Sequence, residues 1–429
     1  MQTQQKKKPH NVILIVSDTL SGNHMSLYGY HRKTTPFLDS FFGGQGYVYT
    51  NARSNSSWTL PSFTSFMRSK LPSHVYVRDL LRIDNTLPGI LRKNGVNIVA
   101  FLKDFSKPIS ILKSVGMLFF QEEFRTFDYH DHESGFREAI KWLQTYDIEN
   151  LISGRPFFMF IHDTTVHNPY EEIPQKYKKM FDSTVDLHGP VTDRDYLDSL
   201  CFSPKNPDEK EKYRITLLYD QGVRYLDDLL KNFLSSIPKK ILESSVIVFI
   251  SDHGDEFGNH HNKFNHGHSL HEDIIRIPLA VRIPGMLPRR LSEPVSLLDL
   301  APTILSIFSI DPPPDFEGTS FLRAQRKKIV GKIVVAEGNL APFPREMDLL
   351  TMREEYLNKK IVSPVEHISF IMGRWKFLKC ENRFEMYDIH LDPHEEKNLY
   401  GDSSFFSAII RSTTGGRIVR QLLSLTRHP

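Results

Sequence analysis

The chain has 429 residues, 40% hydrophobic and 24% charged, with a net charge of +3. That length supports a large α/β domain with a smaller partner, and so small a net charge gives no electrostatic basis for binding nucleic acid. Two cysteines, Cys201 and Cys380, exclude a disulfide framework.

In chain order, Lys6-Lys7-Lys8 reads as a solvated tail ahead of the apolar run 11–16. That run is too short for a secretory core and ends at Asp18. No later run approaches the roughly 18 apolar residues that cross a bilayer, so the expectation is a cytoplasmic protein with no membrane span. The runs 11–16, 97–102, 157–161 and 246–250 are short, continuous and rich in β-branched or aromatic residues, as buried parallel strands are. Helical spacing marks 135–146, 213–234 and 296–307, the second carrying Leu217, Leu218, Val223, Leu226, Leu229, Leu230 and Phe233 on one stripe. Strands and helices thus alternate over residues 1–310, the pattern of a mostly parallel mixed sheet with helices on both faces. The segment 170–211, rich in Pro, Asp and Lys, is expected to be an insertion or lid. After Asp311-Pro312-Pro313-Pro314 the character changes. Residues 367–372, 375–379 and 384–389 predict strands joined at Gly373-Arg374 and Glu381-Asn382, within a small antiparallel subdomain over 311–429.

Chemistry concentrates where strands end. Val246–Ile250 runs into Ser251-Asp252-His253-Gly254, and Asn11–Val16 runs into Ser17-Asp18-Thr19. Open α/β sheets bind ligands at the carboxyl ends of their strands, so Asp18, Asp252 and His253 are candidate ligands of one metal. Trp58-Thr59-Leu60-Pro61-Ser62 allows two readings. Thr59 is either a plain helix cap or a hydroxyl nucleophile activated beside a cation, with helix N–H groups ready for an oxyanion. His162 ends an aromatic strand and reads as a core residue; His260, His261 and His271 read as a polar loop surface, with a second metal as the alternative.

Several motifs together resemble the sulfatases of the alkaline phosphatase superfamily. They are Asp18-Thr19-Leu20, Tyr28-Gly29-Tyr30, Thr35-Pro36-Phe37-Leu38-Asp39, Trp58-Thr59-Leu60-Pro61-Ser62 and Phe157–His162 with His167. They continue through Ser251–Gly258, His266-Gly267-His268, Arg276-Ile277-Pro278, Ser296–Thr303 and Glu385–Ile389, in family order over nearly the whole chain. The resemblance implies an alkaline phosphatase-like fold and Asp18, Asp252, His253 and Thr59 as ligands of one divalent ion per chain. Oxygen donors with one imidazole suit Mn²⁺, Zn²⁺, Mg²⁺ or Ca²⁺ alike. It also implies Thr59 as nucleophile, His167 and His268 as catalytic groups, and His266 and His162 as substrate-binding groups.

Two departures narrow the chemistry. Sulfatases place Cys or Ser in Cys/Ser-x-Pro-Ser-Arg and oxidise it to formylglycine; here Thr59 and Phe63 replace the nucleophile and the arginine, and Thr19 stands where many have a second Asp. The expectation is a hydrolase or transferase working through Thr59 on a phosphate or sulfate ester, phosphoester preferred, of a small molecule, glycan or lipid. The alternatives are a sulfuric ester hydrolase without formylglycine and a catalytically weakened binding scaffold. Oligomeric state is not encoded in any of these motifs.

Overall fold

The computed structural model of the chain describes residues 11–103, 125–129, 131–170, 173–187, 189–202, 207–324, 332–339, 358–380 and 383–401. The tail at Lys6–Lys8 and the turn expected at Glu381-Asn382 lie outside these residues. Eight strands form the main sheet: β1 (Asn11–Ser17), β2 (Tyr47–Tyr49), β3 (Asn97–Lys103), β4 (Arg125–Tyr129), β5 (Phe157–Asp163), β6 (Ser245–Ser251), β7 (Leu279–Arg282) and β8 (Arg289–Leu291). Their spatial order is β8-β2-β7-β6-β1-β5-β3-β4. Only β7 runs antiparallel to its neighbours, so the sheet is mixed and mostly parallel.

The apolar runs are continuous because both faces of the sheet are covered. Alternate residues of one strand feed opposite cores, since successive side chains point to opposite faces. Ile13, Ile15, Met159, Ile161 and Phe249 pack under helices α1 (Pro36–Gln45) and α4 (His132–Ser153) and the 28-residue α5 (Glu209–Ser236). Val12, Leu14, Val16, Phe158, Phe160, Val248 and Ile250 face α2 (Thr59–Arg68), α3 (Leu87–Lys93) and α6 (Leu300–Ile307). The long helix begins where Asp208 accepts from the Glu211 N–H, earlier than the leucine stripe alone suggests. Buried Asp227 on that helix accepts from the N–H groups of Phe37 and Leu38 at 2.8 and 2.9 Å, so α5 caps α1. Segment 170–211 is anchored: Tyr170, Ile173, Tyr177, Val191, Leu197 and Leu200 all join the core under α5. Among the described residues, no helix is long and apolar enough to cross a membrane.

The second sheet is an antiparallel array of β9 (Ile333–Gly338), β10 (His367–Met372), β11 (Trp375–Cys380) and β12 (Arg383–Asp388). Its tight β10–β11 turn uses Gly373 at φ 62°, a left-handed value that glycine adopts without strain. Val334, Ala336, Ile371 and Leu378 pack on Leu270, Ile274 and Ile275 of the larger body. Beside this contact the fully buried Lys376 ammonium lies 2.6 Å from Glu395 and 3.3 Å from Glu272, whose other oxygen pairs with Arg53 at 2.6 Å. Burial opposes ionisation of Glu272, but Arg53 and Lys376 hold it below the usual carboxylate range. Removing one member of such a buried pair strands the others without compensation. We expect Lys376→Ala to cost about 3–5 kcal/mol, read as a lowered urea midpoint.

Candidate active site

The parallel register decides what meets what. Ser17 of β1 lies opposite Ser251 of β6 and Asp163 of β5, so the residues that follow, Asp18 and Asp252, emerge side by side at the carboxyl edge. Asp18, Asp252 and His253 are all fully buried, and one ligand atom from each lies within 4.8 Å of the other two. His253 Nε2 stands 3.5 Å from Asp18 Oδ1, 3.4 Å from Asp252 Oδ2 and 3.4 Å from Thr59 Oγ1. His253 Nδ1 donates to the Gly254 carbonyl at 3.0 Å, which leaves the Nε2 lone pair facing the acids. Gly254 is obligatory, because a Cβ there would meet the Asp273 carbonyl at 2.3 Å.

This donor set fits a divalent cation. Both Asp18 oxygens and Asp252 Oδ2 are buried without a hydrogen-bond donor, and neither carboxylate pairs with Lys or Arg among the described residues. Two buried acids with no countercharge are strongly unfavourable unless one is protonated or a cation sits between them. Burial and the charge on Asp18 push the Asp252 carboxyl well up. Burial acts on Asp18 in the same direction, but His162 and the charges of His167 and His253 outweigh it and hold that group low. Burial, then His266, lowers His253 to about 3, so it is a neutral imidazole at working pH. Asp18, Asp252 and His253, with the Thr59 hydroxyl, would hold the ion.

Thr59 is the first residue of α2, one position inside the cap, which is Trp58. Its hydroxyl is therefore not spent on a capping bond. The loop before it is held from three directions. Asn55 donates to the Val335 carbonyl and accepts from Ser296, Ser56 donates to the Glu337 carbonyl, and Gly267 N–H donates to the Ser57 carbonyl. Thr19 is β-branched yet sits at φ 60°, a strained conformation that turns its N–H toward Asp252 at 3.3 Å while Tyr219 binds its carbonyl at 2.7 Å. Neither Asn55 nor Tyr219 announces this role in the sequence.

The histidines divide into three groups. His162 Nε2 lies 3.4 Å from Asp18 Oδ2, and its ring meets Phe63 edge-on at 4.9 Å; it is buried, yet it faces the site. His266 and His167 are half-buried above the acids: the His266 ring centroid is 4.5 Å from that of His253 and 5.4 Å from that of His167. His266 Nδ1 is held at 2.6 Å by buried Asp255, and His167 Nδ1 by the Asn168 carbonyl at 2.7 Å, so each presents Nε2. His268, expected to be catalytic, instead directs Nε2 to Glu256 at 3.0 Å. The left-handed backbone of Gly267, at φ 89°, turns the residues on either side of it, 266 and 268, to different places, which a motif cannot reveal. His260 and His271, expected on a polar loop surface, are buried; only His261 is exposed.

Residues 10–310 match the family model described as Sulfatase. The chain is 24% identical to the choline-sulfatase of Rhizobium meliloti across 63% of its own length, and spans about half (51%) of that protein. It is 24% identical to the N-sulphoglucosamine sulphohydrolase of Homo sapiens, over 93% of this chain and 88% of that one. The phosphonate monoester hydrolase of Agrobacterium radiobacter superposes with a TM-score of 0.67 at 14% identity, covering 97% of this chain and 95% of that one, a likeness of fold.

Because the folded state raises Asp252, that group contributes stability to the metal-free protein that is lost as pH rises through its raised pKa. Below about pH 6.5 the buried neutral His253 offsets it, so the fall in stability should be seen above the ordinary histidine range. Added Mg²⁺ or Ca²⁺ should reverse the loss, by about 2.7 kcal/mol at a hundredfold excess over Kd. Asp252→Asn should make the metal-free protein at least as stable at neutral pH and abolish the metal response, both followed by thermal melts.

Proposed function

This chain belongs to the sulfatase family of ester hydrolases, and we propose that within it Thr59 is the nucleophile of a metal-dependent phosphoester hydrolase. The observation that carries this reading is the single point of convergence: Thr59 Oγ1 lies 3.4 Å from His253 Nε2, which itself faces Asp18 and Asp252. A divalent cation bound there would favour the Thr59 alkoxide and screen the ester's negative charge.

Thr59 Oγ1 attacks phosphorus in line with the ester oxygen, losing its proton to solvent. The new Oγ–P bond forms as the ester P–O bond breaks, and its electron pair leaves with the organic oxygen. That oxygen takes a proton from Nε2 of His167 or His266 in its imidazolium form, Nδ1 of each being held by an acceptor, and the hydrolytic water later returns that proton. The N–H groups at the start of α2 stabilise the oxygens on phosphorus. Water then attacks the same phosphorus; the Thr59 Oγ–P bond breaks and Thr59 regains a proton. Release by a second in-line attack suits phosphorus.

Phosphoester is preferred because Thr59 cannot follow the oxidation that gives formylglycine from Cys or Ser. Phe63, where sulfatases carry the orienting arginine, packs its ring on His162 and Phe66. The sulfate-ester reading draws on the names of relatives, which include a choline-sulfatase and an N-sulphoglucosamine sulphohydrolase. A small molecule or glycan ester fits either reading.

Phosphate monoesters, phosphodiesters, phosphonates and sulfate esters should be compared on the metal-loaded enzyme. Thr59→Ala is expected to lower kcat/KM by at least about 10³-fold, with Thr59→Ser recovering part of it. A phosphoryl adduct on Thr59, told from a sulfuryl one by high-resolution mass, supports the reading; unchanged turnover in Thr59→Ala sinks it. His167→Asn or His266→Asn should slow alkyl esters by about 10²–10⁴-fold but spare aryl esters, whose leaving groups need no proton, and the more affected variant identifies the acid.

A further inference from the structure

A second group of metal-binding side chains lies where the small sheet meets the larger body. His261 and His271 come from the loop after β6, and Glu385 from β12. One ligand atom from each lies within 4.8 Å of the other two. His261 Nε2 is 3.4 Å from Glu385 Oε1, and His271 Nε2 is 2.9 Å from Glu385 Oε2. Ligand atoms around a tetrahedral ion with bonds of about 2.0–2.1 Å lie about 3.3 Å apart, so these separations fit a common ion. The two rings are inclined at 58°, which lets one ion lie in both planes.

The proton inventory points the same way. Ser269 Oγ donates its only proton to Glu256 at 3.1 Å, so it accepts from His271 Nδ1 at 3.2 Å. His271 therefore carries its proton on Nδ1. When the ring is neutral, its Nε2 lone pair faces a carboxylate oxygen, a contact that requires an added proton or a cation. A neighbouring trio, Glu256, His260 and His271, has suitable spacing but unsuitable orientation. The His260 and His271 rings stack 3.8 Å apart at 5°, and no ion lies in both of two parallel planes. Glu256 is also saturated: His260 occupies Oε1, and His268 with Ser269 occupies Oε2. That trio is the support, whereas the imidazoles that contact Glu385 are themselves the candidate ligands, beside the Tyr387 hydroxyl on Oε2.

We propose that His261, His271 and Glu385 form a second metal site, separate from the Asp18–Asp252–His253 centre, for a transition-metal ion of the zinc class. Two imidazoles and one carboxylate select zinc-like ions over Mg²⁺ or Ca²⁺, which take oxygen shells. His271 is oriented by the Ser269–Glu256 relay, and Glu385 by the Tyr387 hydroxyl at 2.8 Å. His261 is placed by a left-handed backbone at φ 54° and is 43% exposed at the side chain, leaving the fourth position to water. The exposed Arg383, 3.4 Å from His261 Nδ1, can only donate to that nitrogen, so it must give way for the His261 Nε2 lone pair to take an ion. The ion would tie β12 to the catalytic body.

The test separates the two centres. Full-length protein stripped with chelator is titrated with Zn²⁺ and with Co²⁺, whose visible absorption reports a nitrogen-containing low-coordinate site. Wild type should take two ions per chain and Asp18→Asn/Asp252→Asn one. His261→Asn, which keeps a residue tolerant of positive φ, should weaken that remaining ion at least about tenfold while the circular dichroism stays native. Glu385→Gln should do the same. One ion in the wild type, or a second ion whose affinity neither variant changes, overturns the site.

Discussion

Two acids forced together at the carboxyl edge of adjacent parallel strands are the constraint around which the rest of the structure is arranged. Asp18 and Asp252 each follow a strand buried on both faces, and the β1–β6 register leaves them no way to diverge. With no lysine or arginine beside them among the described residues, one stays protonated or a cation joins them. His253 supplies the neutral donor between them, and its proton is pinned on the far nitrogen by the Gly254 carbonyl. The strained Thr19 backbone and the absence of room for a Cβ at Gly254 belong to the same arrangement. Both are local costs met by a tightly packed surround.

The loop before Thr59 depends on parts of the chain far from it. Asn55 and Ser56 are bound by β9 of the small sheet, and Ser57 by the His266-Gly267 loop. The small sheet is in turn seated by an apolar contact and by the buried Lys376–Glu272–Arg53 group. Disturbing the seat of that sheet therefore reaches the loop that carries Thr59, although no strand of the sheet donates a reacting group. The boundary near 310 is thus a change of strand pattern more than a mechanical separation. Phe321, Ile361 and Val362, all beyond it, pack in the core over α2 and α6.

Much of the framework was legible. The strands 11–16, 97–102, 157–161 and 246–250 stand out because burial on both faces makes them continuously apolar, and all four appear within a residue or two. Three strands of the antiparallel small sheet were legible from the tight turn at Gly373-Arg374 and their spacing, but β9 was not. The short members β2, β7 and β8 were not, since three or four residues carry no period to detect. Among site residues, those at strand ends could be picked out from position alone. The histidines of the 260–271 loop could not. With no period in that loop, the direction of each imidazole follows from left-handed turns at His261, Asn262 and Asn265 and from the carboxylate that claims it: Glu256 for His260 and His268, Asp255 for His266, and Glu385, more than a hundred residues away, for His261 and His271.

The sequence by itself determined the alternation of strands and helices, the acids at two strand ends, and a threonine at the position where the family motif has an oxidisable Cys or Ser. These are properties of residue type and local order. Only the tertiary structure decided that His266, held by Asp255, stands over His253 while His268 serves Glu256. It alone decided that Thr59 lies one residue inside its helix with its hydroxyl uncommitted to a cap, and that Glu385 from the last described strand meets His261 and His271. The physical reason is common to all three. Local order limits what a residue can do, but whether an imidazole or hydroxyl is a ligand, a prop or a cap depends on which distant partner claims its lone pair.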